Sequence, residues 1–309
     1  MGKVFLYAGQ GSQRTGMGRD FYESYPTYKA FLDSLSLEFD IAKMMHEGDE
    51  GELALTEYTQ PCMAAFAAGV TNLLAEFGVM PDAACGLSLG EYGALYAAKV
   101  FSSEQFVNMV AYRGKVMAEA ARGLECCMSA VLGYESKAIE EACQNYDGEG
   151  YITVANYNCP GQTVICGDEV AVSNVEELLK SQGAKRCVRL KVSGPFHTRY
   201  MKSAGDKLGD YLKGIAMQKP QIPVTANITG DFYPENADIR DYLVRQIQSS
   251  VRLEDDLRTL IEAGYTDFVE IGPGNTMSGF LKKTARAIGV KVQVVSIDTV
   301  DDFRKVIGE

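Results

Sequence analysis

The chain has 309 residues, enough for one large domain or for a large domain carrying a smaller one. Its 46% hydrophobic content can fill a sizeable core, and 23% charged residues is ordinary for a soluble protein. A net charge of −11 disfavours nucleic acid, no apolar run reaches the length of a membrane span, and MGKVFLYAGQ turns polar too soon for a signal peptide; no nucleic acid, no membrane and a cytoplasmic location are expected.

In chain order, Lys3 to Tyr7 (KVFLY) predicts a buried first strand ending in the glycine-rich turn AGQGSQ, 8–13. A helix is expected over Phe21 to Leu37. TQPCMAAFAAGVTNLLAEFG, 59–78, predicts another, with Thr59 as cap, Pro61 in the first turn and Gly78 at the end. A short strand to Gly86, a turn at Ser88 and a helix from Leu89 to about Ala98 follow. The middle reads as strand 128–134, helix 136–146, strands 151–157 and 163–167, helix 169–183 and strand 185–192. That β-α-β-β-α-β order is the ferredoxin-like unit. It reads as a subdomain over 127–192, inserted in an α/β core made of 1–126 and 193–309. After it, strands are expected near 223–228, 267–271 and 291–297.

Eight cysteines, at 62, 85, 126, 127, 143, 159, 166 and 187, include no C-x-x-C, and most fall in apolar stretches. With only two histidines in the chain, buried reduced thiols are expected and no metal site.

The chemistry concentrates at CGLSLGEYGAL, 85–95. Ser88 lies between Gly86 and Gly90 where a strand gives way to a helix, the context of a nucleophile elbow. The glycines let the backbone fold sharply, and the helix aims free amides at the same spot, ready for an oxyanion. The plainer reading is a small residue in a tight turn. A serine nucleophile needs a base, and His46 and His197 are the candidates. His46, in MMHEGDE, reads as surface, whereas His197, in VSGPFHTRY, follows the inserted unit on a loop shaped by Gly194 and Pro195. Arg113 falls within the apolar arc of a helix that also carries Phe106, Val110, Met117 and Ala121. A buried guanidinium needs an anion, either a protein carboxylate or one on a substrate.

With these landmarks the sequence resembles the malonyl-CoA:acyl carrier protein transacylase family, essentially from end to end. The matching stretches are GQGSQ (9–13), TQP (59–61), GLSLGEY (86–92), YRGKVM (112–117), NCPGQTVICG (158–167), SGPFH (193–197), RQIQSSV (245–251) and EIGPG (270–274). The resemblance implies an α/β-hydrolase-like core with a ferredoxin-like insertion. It implies a Ser88–His197 dyad, with the backbone carbonyl of Gln246 orienting the histidine, and an oxyanion hole of the Gln10 and Leu89 amides. Arg113 matches the arginine that holds the malonyl carboxylate. The partners implied are malonyl-CoA and an acyl carrier protein, with no metal or redox cofactor. Leu87 stands where the family often has histidine, and Ala8 where proline is common. Phe196 resembles malonyl-selective members. Two rival readings are a serine hydrolase, which has no need of Arg113, and a silent docking module, which has no need of the intact Ser88, His197 and Arg113 set. An acidic carrier protein would require a local basic patch, with Lys185, Arg186, Arg189, Lys191, Lys282 and Lys283 as candidates.

Overall fold

In the computed structural model, which describes residues 2–192 and 194–309, the first apolar run forms β1 (Lys3–Tyr7). Where one helix is expected there are two, α1 (Arg19–Ser24) and α2 (Pro26–Ser34). They break at Tyr25, whose extended backbone is what a residue before proline prefers. The next helices, α3 (Ile41–Glu47) and α4 (Glu50–Leu53), are capped by Asp40 and Asp49. They lead into α5 (Thr56–Glu76), which is buried over most of its length. This helix starts a turn earlier than expected, because Leu55 O already accepts the Tyr58 and Thr59 N–H groups. Thr59 is therefore internal rather than a cap, and Pro61 lies in the second turn. The helix ends at Phe77, before Gly78, as expected.

The chain continues through β2 (Ala83–Gly86), α6 (Leu89–Ala97) and α7 (Ser103–Ala121), the last opened by a capping box of Ser102 and Gln105. The middle comprises β3 (Cys126–Leu132), α8 (Ser136–Gln144), β4 (Ile152–Cys159), β5 (Gln162–Asp168), α9 (Glu169–Ser181) and β6 (Arg186–Arg189). The remainder opens with α10 (Lys202–Leu212), β7 (Thr225–Ala226), β8 (Asp231–Phe232) and α11 (Ile239–Gln246). It closes with α12 (Leu253–Glu262), β9 (Asp267–Ile271), α13 (Thr276–Ala287), β10 (Gln293–Ile297) and α14 (Val300–Ile307).

Four strands, in the order β10-β9-β1-β2, form a parallel sheet. Strand alternation sends Phe5 and Tyr7 into the core that includes α5, α6 and α7. Val4 and Leu6 point the other way, against Leu257 and Leu260 of α12 and Met277 and Leu281 of α13. Both faces are covered, as a parallel sheet requires. The strand expected near 223–228 shrinks to β7, which pairs antiparallel with β8, while Val224 makes a single bridge to Ala84. Pro223 can accept a bond from Ala84 N–H but has no N–H of its own to extend a ladder.

The second sheet is antiparallel, in the order β4-β5-β3-β6, and one face packs on α8 and α9 through Val131, Val154, Ile165, Ile139, Val172 and Leu179. Its edge strand β4 is tied to the rest of the chain: Tyr157 N–H donates to Val251 O and Val251 N–H to Ala155 O, both at 2.8 Å. Val251 follows α11 closely, so this seam lies near Gln246 and near the loop that carries His197 out of β6. Ser193, the first residue of the SGPFH stretch, lies outside the described residues. Among the described residues no helix is long and apolar enough to cross a membrane.

Candidate active site

Ser88 sits between β2 and α6 with φ 56° and ψ −104°, a conformation that a residue with a side chain adopts only under constraint. The two glycines make it possible by close approach. A Cβ on Gly86 would stand 2.0 Å from Gly90 C, and one on Gly90 would stand 2.3 Å from Tyr7 O. The turn is clamped from outside by Asn227, whose Oδ1 accepts from Ser88 N–H (2.8 Å). Asn227 Nδ2 donates to Gly86 O and to Asp256 Oδ2, each at 2.8 Å.

The side chain of Ser88 does not cap its helix. Its Oγ lies 2.8 Å from His197 Nε2 and accepts from Arg113 Nη2 at 3.0 Å. His197 is 5% exposed, and its Nδ1 lies 2.9 Å from Gln246 O. A carbonyl can only accept, so Nδ1 carries the proton and Nε2 faces Ser88 with its lone pair. Burial, then the Arg113 charge, pushes the imidazole pKa down to about 4. The ring is therefore neutral near pH 7, the form that can take a proton.

Leu89 opens α6, so its N–H has no partner within the helix and lies at the positive end of the helix dipole. Gln10 lies in the turn after β1, the strand adjacent to β2, and Leu87 N–H donates to Tyr7 O (3.1 Å) across these two strand ends. The Gln10 side chain is tied to Thr56 Oγ1 at 2.8 Å. These amides lie beyond the carboxyl ends of two neighbouring parallel strands.

Arg113 is 1% exposed. Its Nη1 donates to Gln60 Oε1 (2.7 Å) and its Nη2 to Gln246 Oε1 (3.0 Å), while its Cζ lies 5.5 Å from the Tyr92 ring centre. Nε is buried without a partner among the described residues. The bonded partners are neutral, so they satisfy N–H groups and leave the charge uncompensated at contact. Burial accordingly lowers the guanidinium pKa. The arrangement can deprotonate a serine hydroxyl, offer amides to an oxyanion and present a fixed cation beside the serine.

Two contributors, Gln60 and Asn227, were not expected from the sequence, and a third, Gln246, does more than expected. Gln60 could have been flagged as a polar residue buried in an apolar helix. Asn227 carries no local signal, since a short polar residue after a strand reads as a turn. Gln246 was expected to act through its carbonyl, yet its side chain also bonds Arg113 Nη2, Ser88 O and Glu91. His46 departs from its expected surface position: Met44 and Met45 draw α3 onto the core, and the ring is half-buried against Tyr22. Among the described residues no hydrogen bond or ring contact joins it to the Ser88 group. Of the basic candidates, Arg189 is paired with Glu176 (2.8 Å) and Glu169 (3.1 Å). Lys185, Arg186, Lys191, Lys282 and Lys283 are exposed. A cavity of about 880 Å³ lies along the face of α7 opposite Arg113, lined by Tyr112, Lys115 and Tyr211, and does not include Ser88. All eight cysteines are free, and among the described residues no group of three or more His, Cys, Asp or Glu is placed to hold a metal.

The fold and site define an α/β protein in which a serine on a strained turn at the end of a parallel sheet meets a histidine from a distant loop. Residues 4–301 match the acyl transferase domain family. The malonyl CoA-acyl carrier protein transacylase of Bacillus subtilis (strain 168) is 41% identical over 292 residues, 93% of this chain and 92% of that protein. A crystal structure of MCAT from Streptococcus pneumoniae is 40% identical, with TM-score 0.92 over 99% of both chains. A malonyl-transacylase solved in complex with a type II PKS acyl-carrier protein is 32% identical, with TM-score 0.94 over 100% of this chain and 99% of that one. The chain belongs to the acyl transferase domain family and, within it, to the malonyl CoA-acyl carrier protein transacylases.

Proposed function

We propose that this chain moves a malonyl group from malonyl-CoA to the phosphopantetheine thiol of an acyl carrier protein, by way of an ester on Ser88. His197 Nε2 takes the Ser88 proton as Oγ attacks the thioester carbon. The Gln10 and Leu89 amides hold the oxyanion, and the CoA sulfur leaves with the proton from His197. The carrier thiol then gives its proton to His197 and attacks the malonyl ester, and Ser88 departs reprotonated. Gln246 O keeps the imidazole in the tautomer this shuttle needs. No metal or redox cofactor enters either step. Within this reading the parallel-sheet part, 1–126 and 193–309, is an α/β-hydrolase-like core, and 127–192 is a ferredoxin-like insertion.

One observation carries the choice of substrate. Arg113 is buried, bonded to neutral atoms and 3.0 Å from Ser88 Oγ, where a carboxylated acyl group would place its charge. A hydrolase of neutral esters gains nothing from a desolvated cation there. The partner is supported by the relative that was solved with an acyl-carrier protein bound. Intact-protein mass tests the proposal after separate mixing with malonyl-, methylmalonyl- and acetyl-CoA. Malonyl-CoA should add one malonyl mass on the peptide containing Ser88, discharged by holo carrier protein and stable without it. An adduct that persists in Ser88→Ala would refute the assignment, and rapid loss to water without carrier protein would favour the hydrolase.

A further inference from the structure

Glu91 is a carboxylate that the mechanism above does not use. It occupies the third position of α6, where an acid ordinarily reaches back to the N-cap amide. Here it does not, because Ser88 N–H is already held by Asn227 Oδ1. Glu91 instead turns inward and is 1% exposed. Its Oε1 accepts from the Tyr233 hydroxyl, and its Oε2 accepts from Gln246 Nε2 (2.7 Å) and Asn227 N–H (3.3 Å). All three donors are neutral. The same Gln246 amide presents its Oε1 to Arg113 Nη2 at 3.0 Å. One side-chain amide thus joins a buried guanidinium to a buried carboxylate, its oxygen on the cation and its nitrogen on the anion.

Resting on the reading that malonyl is held by Arg113, we propose that Glu91 is the resting counter-charge of Arg113 and takes up a proton when malonyl is loaded. A second anion brought to the one buried cation leaves two carboxylates competing for it, and only one stays charged at low cost. The substrate carboxylate, in direct contact, keeps its charge, and Glu91, one amide removed, gives its own up. The proton comes from solvent and returns when the acyl group leaves on the carrier. Acetyl brings no charge and calls for no proton.

The surroundings suit this role. Burial raises the Glu91 pKa to about 7, opposed by the Tyr233, Gln246 and Asn227 bonds and by the Arg113 charge. The other titratable groups facing it are Tyr92 on its own helix, Cys85 on β2, Tyr233 beyond β8 and Asp256 on α12. Burial pushes the pKa of each of these up and so favours the neutral form. His197, across Gln246, is already neutral in this range. Glu91 is therefore the group that titrates within the site between about pH 6 and 8.

Malonyl loading should favour the low side of that range. The malonyl-to-acetyl ratio of kcat/KM for loading Ser88 should fall roughly threefold or more from pH 6.5 to 8.5. In Glu91→Gln, which holds the neutral form, the ratio should stay flat within twofold and match or exceed wild type at pH 8.5. An indicator dye in weak buffer at pH 7.5 should report proton uptake on loading from malonyl-CoA and none from acetyl-CoA. A flat wild-type ratio, or a slope that survives in Glu91→Gln, overturns the proposal. Should Glu91→Gln fail to fold, Tyr233→Phe removes one donor that favours the charged form and must move the midpoint to higher pH; a fixed midpoint overturns it equally. Arg113→Ala separates the layers. If that variant keeps the malonyl preference, the reading of Arg113 falls and this proposal with it. If it loses the preference while Glu91→Gln keeps the slope, Glu91 alone is wrongly assigned.

Discussion

Arg113, beneath the serine turn, and Arg189, on the edge strand of the antiparallel sheet, show two ways of placing a guanidinium. The Arg189 side chain is 35% exposed and bonds two carboxylates, Glu176 and Glu169, together with Ser173 Oγ. Its charge is matched within the fold, and nothing further is needed. Arg113 is almost fully buried, where an unmatched charge is most costly, yet it is bonded to two glutamine oxygens and a serine hydroxyl. Amide oxygens fix its direction without cancelling its charge. Arg189 is matched by anions in contact with it, whereas Arg113 is oriented by neutral groups, which under the proposed function leaves its field for the anion of the substrate.

The contrast between matched and unmatched groups can be broken at several points. Under the proposed mechanism the largest effect should come from His197: His197→Ala should slow both malonyl and acetyl loading by about two orders of magnitude or more, measured by rapid-quench mass. Both substrates should suffer alike, which separates a base from a selector. Asn227→Ala comes next. It strips the Ser88 amide, the Gly86 carbonyl and the Asp256 carboxyl of a shared partner, and should cost about 2–4 kcal/mol in denaturant unfolding, with loading slowed in proportion to the distorted turn. Arg189→Ala should cost only about 1 kcal/mol of stability and leave both loading rates unchanged, because its charge is matched away from the site. A loss of malonyl preference in that variant would erase the distinction between the two arginines.

Acidity gives a further handle. His197 is held neutral down to about pH 4, with burial the main cause and the Arg113 charge second. Acetyl loading, which involves no substrate carboxylate, should therefore stay level from pH 8 to about 5 and fall as pH drops through about 4. The stability sign follows from the same depression. The unfolded histidine, with its ordinary value of 6.5, binds a proton that the folded one refuses. The contribution is thus complete above 6.5 and is lost as pH falls toward 4. His46→Ala should give the smallest effect, with activity unchanged and stability altered by about 0.5 kcal/mol.

How much of this could be read beforehand depended on whether a residue's meaning is local. Ser88 announced itself through the glycines and the strand-to-helix change beside it, and Arg113 through a charge on an apolar helical arc. The β-α-β-β-α-β order was legible because each element had its own period and punctuation, although β6 ended at Arg189 rather than near 192. Pro26 marked a helix break that the longer hydrophobic pattern hid. Asn227 stands 139 residues from the serine amide it holds, and Glu91 looks like an ordinary first-turn acid until Asn227 is seen in its usual place. Those roles exist only once distant segments meet, so no window of sequence contains them.

The central proposal is that Arg113, with no anion in direct contact among the described residues, selects the carboxylated substrate. Competitive loading from an equimolar mixture of malonyl- and acetyl-CoA, read by mass on the Ser88 peptide, tests it most directly. Leaving a buried cation unpaired typically costs about 3–5 kcal/mol, so wild type should prefer malonyl by at least about a hundredfold. In Arg113→Ala malonyl loading should collapse while acetyl loading holds or rises, and Arg113→Lys should recover only part of the preference, having charge without the planar fork. A preference for malonyl as strong in Arg113→Ala as in wild type would contradict the account and place the carboxylate elsewhere.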